Sequence, residues 1–218
     1  MKVRGGAMPE QMEEQTDTER RIFEAAKRVF VQKGMDGASM QDIATSAGIS
    51  RTSLHYYFRS KKKLFSAVSD DLFAHFLPRL EGIMFDDGLF RKKLERFVDV
   101  YLDMLMENPY LQNFIMNELN KNPEALIIRF RNEWLMSDRM KEQIRIDLNK
   151  FKNAMDVSQF MVNLLSLCVF PFIARPMIEA IYLDRNQDAF KAFIEERKAI
   201  IVNTLMSSIE HNPNEDMK

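Results

Sequence analysis

Between Ser39 and Lys63 the chain presents a dense set of hydrogen-bonding side chains: Arg51, Thr52, Ser53, His55 and Tyr56, with Tyr57 at their margin and Lys61, Lys62 and Lys63 close behind. Guanidinium, hydroxyl and imidazole groups spaced in this way suit the reading of base edges and phosphate oxygens. They do not suit catalysis or metal binding. The three histidines, His55, His75 and His211, are scattered without a second ligand at metal spacing, Cys168 has no base near it in sequence, and no glycine loop resembles a phosphate cradle. No catalytic residue, metal or cofactor is therefore expected. The plainest reading of the lysine run is a solvated charged face. Against it, three cations in the first turn after Ser60 oppose the positive end of the helix dipole, at about 0.3 to 1 kcal/mol each when exposed. An incoming phosphate turns that cost into a binding site.

Two short helices must hold these groups. Ser39 supplies an N-cap hydroxyl, Met40, Ile43, Ala44 and Ala47 follow on one face, and Gly48 ends the helix in a conformation that favours a residue without Cβ. Ser50 is the next N-cap, with Ile49 before it placed to staple onto Leu54. Leu54 and Phe58 turn inward and leave the polar groups on the opposite side. The preceding segment, Thr18 to Lys33, carries Ile22, Ala25, Ala26, Val29 and Phe30 at helical spacing, and Gly34 closes it. Three helices around one small core, the last two joined by a tight turn, make a helix-turn-helix.

The run TERRIFEAAKRVFVQKGMDGASMQDIATSAGISRTSLHYYFRSKKKLF, residues 18–65 and about a fifth of the chain, resembles the amino-terminal domain of the TetR/AcrR family of bacterial transcription regulators. The motifs that carry the resemblance are the S-x-x-D-I-A cap, the A-G-I-S turn, the L-x-Y-Y-F helix and the S-K-x-x-L-F start of the next helix. The resemblance implies double-stranded DNA as a partner, with Arg51, Thr52, Ser53 and His55 matching base-edge readers and Ser39, Tyr56, Tyr57 and Lys61 matching phosphate clamps. Thr52 stands where many members have Gly or Pro, and His55 where they usually have Tyr. Base preference therefore does not transfer.

Composition agrees with a helical regulator. The 218 residues are 46% hydrophobic, with only seven Gly and seven Pro, and helical periodicity without alternating β-branched runs predicts an all-α fold. The single cysteine and the lack of an apolar stretch in Met1 to Gln15 predict a cytoplasmic protein. Phe160 to Ile173 is too short to span a bilayer, so no membrane partner is expected. The net charge of −1 conceals an asymmetry: residues 16–65 hold ten Lys or Arg against five Asp or Glu, and residues 66–218 hold nineteen against twenty-four. A basic head on an acidic body orients the molecule on a polyanion.

The domains expected are a disordered arm (1–15), the helix-turn-helix domain (16–65), a larger helical effector-binding and dimerisation domain (66–211) and a disordered tail (212–218). In the third, helices are predicted over Lys61 to about Leu80, Leu89 to Glu107, Pro123 to Lys150, Met155 to about Leu183 and Gln187 to Ile209. Sixteen Met and seventeen Phe suit either a filled core or a pocket for an apolar compound. The lining candidates are Phe97, Tyr101, Met104, Phe114, Trp134, Phe160, Asn163 and Leu167, with Asn163 singled out as an amide in an apolar run that must find hydrogen bonds. Stripes on the last two helices, Met161, Leu165 and Phe172 with Phe190, Ile194, Ile201 and Leu205, read alone as ordinary core. The resemblance makes them a homodimer interface, since its members dimerise through two terminal helices. The expected function is a DNA-binding transcription regulator, a repressor released from an inverted-repeat operator by a small hydrophobic effector. The alternatives are an effector-free activator or architectural protein, and an all-α enzyme or carrier for an apolar ligand.

Overall fold

The computed structural model describes residues 10–121, 123–124, 137–153, 155–184 and 187–210, which are helical with no strand among them. The helices are α1 (Glu10–Gly37), α2 (Met40–Ala47), α3 (Arg51–Tyr57), α4 (Lys61–Met84), α5 (Phe90–Glu107), α6 (Tyr110–Lys121), α7 (Asp138–Leu148), α8 (Val157–Ile173), α9 (Arg175–Tyr182) and α10 (Gln187–Glu210). They divide into two compact units, Met1–Phe73 and Ala74–Lys218, with the division falling inside α4.

In the first unit the expected stripe on α1 is the core: Ile22, Ala25, Ala26 and Phe30 are fully buried, together with Ile43, Ala44, Leu54, Leu64 and Phe65. Phe30 meets Phe65 edge-on at 4.8 Å and Phe23 tilts against Phe58 at 5.7 Å. Each large side chain removed from water in this way contributes about 1.5 to 3 kcal/mol. Helix α1 differs from expectation at both ends. It starts at Glu10, so residues 10–15 are helical where a disordered arm was expected. It also runs past Gly34 to Gly37, but with a kink, because Gly34 adopts φ 66° and ψ 175°, a region that residues with a Cβ avoid. Residues 1–9 and 212–218, the rest of the two expected disordered ends, lie outside the described residues, as does His211.

In the second unit α5 buries Phe90, Leu94, Phe97, Tyr101 and Leu105 and packs against α8 and α10. Phe90 meets Phe160 at 5.6 Å, and Phe172 meets Phe190 edge-on at 5.9 Å. Cys168 is fully buried, and burial pushes its thiol up to about 12. A pair of charges lies within this core: Lys93, 3% exposed, donates to Asp147, 0% exposed, at 2.9 Å. Lys93 also donates to the Met84 carbonyl at 3.2 Å, and Asp147 accepts from Lys150 at 2.7 Å and Gln143 at 3.3 Å. Burial raises the Asp147 carboxyl, but the bonds from Lys150, Lys93 and Gln143 outweigh it and hold the group below its ordinary range.

Two expected helices are broken. The one predicted from Pro123 to Lys150 has a new start at Asp138, where the Ser137 hydroxyl accepts from the Met140 N–H at 3.2 Å; residues 125–136 between lie outside the described residues. The one predicted from Met155 to Leu183 breaks at Ala174 into α8 and α9, bent by 69°. Neither Pro171 nor Pro176 has an N–H for the ladder; Pro171 lies inside α8, and Pro176 falls in the first turn of α9, where no such N–H is needed. No single helix among the described residues is long and apolar enough to cross a membrane.

The residues of the expected dimer stripe are mostly buried within the single subunit. Met161, Phe190, Ile194, Ile201 and Leu205 are at most 2% exposed and Phe172 is 9% exposed, all against the subunit's own helices, and Leu165 is half-buried. Such side chains are interior and have little surface left to offer a second copy. The opposite faces of α8 and α10 carry the exposed apolar groups Val162, Phe170, Ile173 and Ile200, joined by Met177, Ile181 and Tyr182 of α9.

Candidate nucleic-acid interface

The second helix of the turn, α3, is held by its caps and by one buried side chain. The Ser50 hydroxyl accepts from the Ser53 N–H at 2.9 Å, the Phe58 N–H closes the other end on the Leu54 carbonyl at 2.8 Å, and Leu54 is fully buried. With that side fixed, Arg51, Thr52 and Tyr56 are exposed and Ser53, His55 and Tyr57 half-exposed. Tyr56 is 80% exposed, and its ring stands perpendicular to that of Tyr57 at 5.5 Å. An exposed arginine at the first position of a capped helix can donate a forked pair of bonds to a guanine edge.

Helix α2 is fixed as tightly at both ends. Ser39 and Asp42 form a reciprocal capping box: the Asp42 N–H donates to the Ser39 hydroxyl at 3.1 Å, and Asp42 accepts from the Ser39 N–H at 3.0 Å and from its hydroxyl at 2.6 Å. Lys33 of α1 reaches the same carboxylate at 2.7 Å. The bond from Lys33, then those from Ser39, hold Asp42 down to about 2. At the other end Gly48 takes φ 67°, and Arg21 donates to the Ala47 carbonyl at 2.8 Å. A Cβ built on Gly48 would lie 3.4 Å from that guanidinium.

Two of the expected phosphate-binding groups are thus engaged within the chain. The Ser39 hydroxyl donates to Asp42, and Lys61 donates to the carbonyls of Ala38 at 2.8 Å and Asp36 at 3.2 Å. Lys61 therefore ties the segment before α2 to the start of α4, where the Ser60 hydroxyl caps the Lys63 N–H at 3.2 Å. Arg59, Lys62 and Lys63 remain exposed. Sequence reasoning missed Arg21 and Lys33, whose partners lie 26 and 9 residues away. A local signal existed only for Asp42, in the S-x-x-D cap.

The effector candidates do not gather into one surface. Phe97, Tyr101, Met104 and Phe160 are buried core, and burial pushes the Tyr101 phenol up. Leu167 is half-buried. Asn163 lies on the exposed side of α8, where its amide donates to the Met155 sulfur at 3.9 Å. The side chain of Phe114 and all of Trp134 lie outside the described residues. Among the described residues no cluster of His, Cys, Asp or Glu is suited to hold a metal ion.

Residues 22–68 match the family described as bacterial regulatory proteins, tetR family. That stretch, about a fifth of the chain, is a TetR-type helix-turn-helix domain. Among its relatives, YttP of Bacillus subtilis (strain 168), a probable HTH-type transcriptional regulator, is 24% identical over 189 residues, 83% of this chain and 90% of the relative. YvdT of the same organism, an HTH-type transcriptional regulator, is 34% identical over 79 residues, 36% of this chain, so the match spans only 41% of that relative's length. The fold is shared with the fatty acid degradation regulator FadR from Bacillus halodurans, at a TM-score of 0.62 and 17% identity over 92% of this chain and 97% of that one. The two Bacillus subtilis relatives are described as regulators of transcription.

Proposed function

We propose that the protein is a homodimeric repressor that leaves an inverted-repeat operator when a small, largely hydrophobic effector binds its second unit. The observation that carries the reading is the surface of α3: Arg51, Thr52 and Tyr56 face solvent on a helix whose opposite side is fixed by buried Leu54. In this reading Arg51, Thr52, Ser53 and His55 contact base edges. Tyr56, Tyr57 and the exposed Arg59, Lys62 and Lys63 hold phosphates, while Ser39 and Lys61 act through the segments they secure. The apolar surface of Val162, Phe170, Ile173 and Ile200 is the part of the second unit best suited to a second copy. Two copies related by a two-fold axis read half-sites about one helical turn, roughly 34 to 36 Å, apart.

Helix α4 is the covalent route between recognition and effector. It begins beside Ser60 and ends at Met84, whose carbonyl is held by Lys93. A displacement of that end by a ligand changes how the recognition helices are spaced, and the ligand must bind the DNA-incompetent state more tightly for any release to follow. Selection of bound fragments from genomic DNA, followed by footprinting, tests the reading. A dyad-symmetric protected site is expected. Failure to enrich any sequence, or a bound site without dyad symmetry, would sink it.

A further inference from the structure

Where α5 meets α6 and α8 meets α9, four helix ends leave a partly enclosed cleft of about 180 Å³ within the second unit. Two prolines hold it open. Pro109 stands in the turn before α6 and Pro176 in the first turn of α9, and neither helix end can extend to fill the gap. Leu105, Met106, Phe172 and Ile173 give it apolar walls, and Gln112 and Arg175 supply its polar side chains.

Both polar groups are fixed in advance. Gln112 is 3% exposed and its amide N–H donates to the Leu105 carbonyl at 3.2 Å. The Arg175 guanidinium lies over the Phe190 ring at 4.5 Å, with its Nε donating to Glu179 at 2.7 Å. Among the described residues no acceptor is bonded to the two terminal nitrogens of the fork, on a side chain whose orientation is already set. The first turn of α9 adds its own positive pole, since Ala174 provides no side-chain cap. The volume equals about six waters and falls below the roughly 300 to 1,000 Å³ of sites for drug-sized ligands. The occupant is therefore a small compound with one anionic end.

We propose that this cleft binds a small carboxylate with a compact apolar body, such as an aromatic acid, its carboxylate on Arg175 and its body against Leu105, Met106, Phe172 and Ile173. This names a ligand class and a place for the effector, and its role at the operator rests on the regulator reading. Binding itself is tested without DNA, by calorimetric titration of the full chain with benzoate and with the neutral isostere benzamide. Benzoate is expected to bind at least tenfold more tightly. Arg175→Gln should abolish that preference, and Glu179→Gln should strengthen benzoate severalfold by releasing the guanidinium from its internal partner, a gain that a merely structural role for the ion pair would not produce. Benzoate binding no more tightly than benzamide, including no heat from either, overturns the proposal, as does a preference that survives Arg175→Gln. Operator affinity with and without benzoate is then measured separately. Benzoate that binds with the expected preference but leaves operator affinity unchanged keeps the site and removes the switch.

Discussion

The two units of this chain are stabilised by different means. In the first, polar interactions sit at helix ends and near the surface: the Ser39 and Asp42 box, the Ser50 cap, Arg21 on Ala47 and Lys61 on Asp36 and Ala38. Most of these bonds hold short helices in a fixed relation while their outer faces stay open for a partner. In the second, one pair of charges, Lys93 and Asp147, is enclosed within the core. A surface that reads another molecule needs exposed groups on a rigid support. An enclosed pair of charges in the second unit instead ties α5 to α7 inside the core, where a small movement alters several contacts at once.

The largest test of this contrast is to break the buried pair. Lys93→Ala leaves Asp147 charged, enclosed and short of one partner, and should cost about 3 to 5 kcal/mol of unfolding free energy in urea. Replacing both groups together by Met and Leu should recover most of the loss. Equal damage from the single and double changes would mean that packing, not charge, governs the region. At the recognition surface the expected loss is in binding. Arg51→Ala should weaken operator affinity by about 1 to 3 kcal/mol and relax preference at one base position, with the melting temperature unchanged. Lys62→Ala should instead weaken all sequences alike and reduce the salt dependence by about one phosphate contact, a difference visible in titrations at two salt concentrations.

Smaller effects probe the caps themselves. Gly48→Ala forces a Cβ into the left-handed region beside Arg21, at about 1 to 2 kcal/mol of stability, and thermal melting should report it. Asp42 supplies the pH test. Its carboxyl, ordinarily at 3.8, is held at about 2 by Lys33 and Ser39, so its contribution is complete above about pH 4 and lost as pH falls through about 2. In Asp42→Asn the melting temperature should depend less on pH across that window. A variant with the wild-type slope would assign the acid sensitivity to another group.

The first unit was largely legible because its determinants are local. Ser39, Gly48, Ser50 and Leu54 act over three or four residues, and their spacing carries the signal. The second unit was less legible because a stripe of apolar residues gives a helix a buried face without naming what buries it. Phe190, Ile194 and Ile201 read alone as core and became interface candidates only through the resemblance, and within the subunit they are buried. The apolar neighbours of Asn163 in sequence concealed which side of the helix it occupies. At helical spacing it lies with Val162 and Ser166 on the exposed side of α8. The start of α7 at Ser137 was a readable cap inside a run that passed for one continuous helix. Arg21 and Lys61 had no such signal, since they find carbonyls 23 to 26 residues away.

The seclusion of Cys168 gives the second unit a built-in clock. As the sole cysteine of the chain it has no competitor for an alkylating reagent, and its fully buried, poorly ionised thiol can be modified only while the helices around it are parted. The rate of modification in native buffer therefore counts the openings of the second unit and is blind to those of the first. A compound that settles among these helices should slow the clock, whether or not any DNA is present.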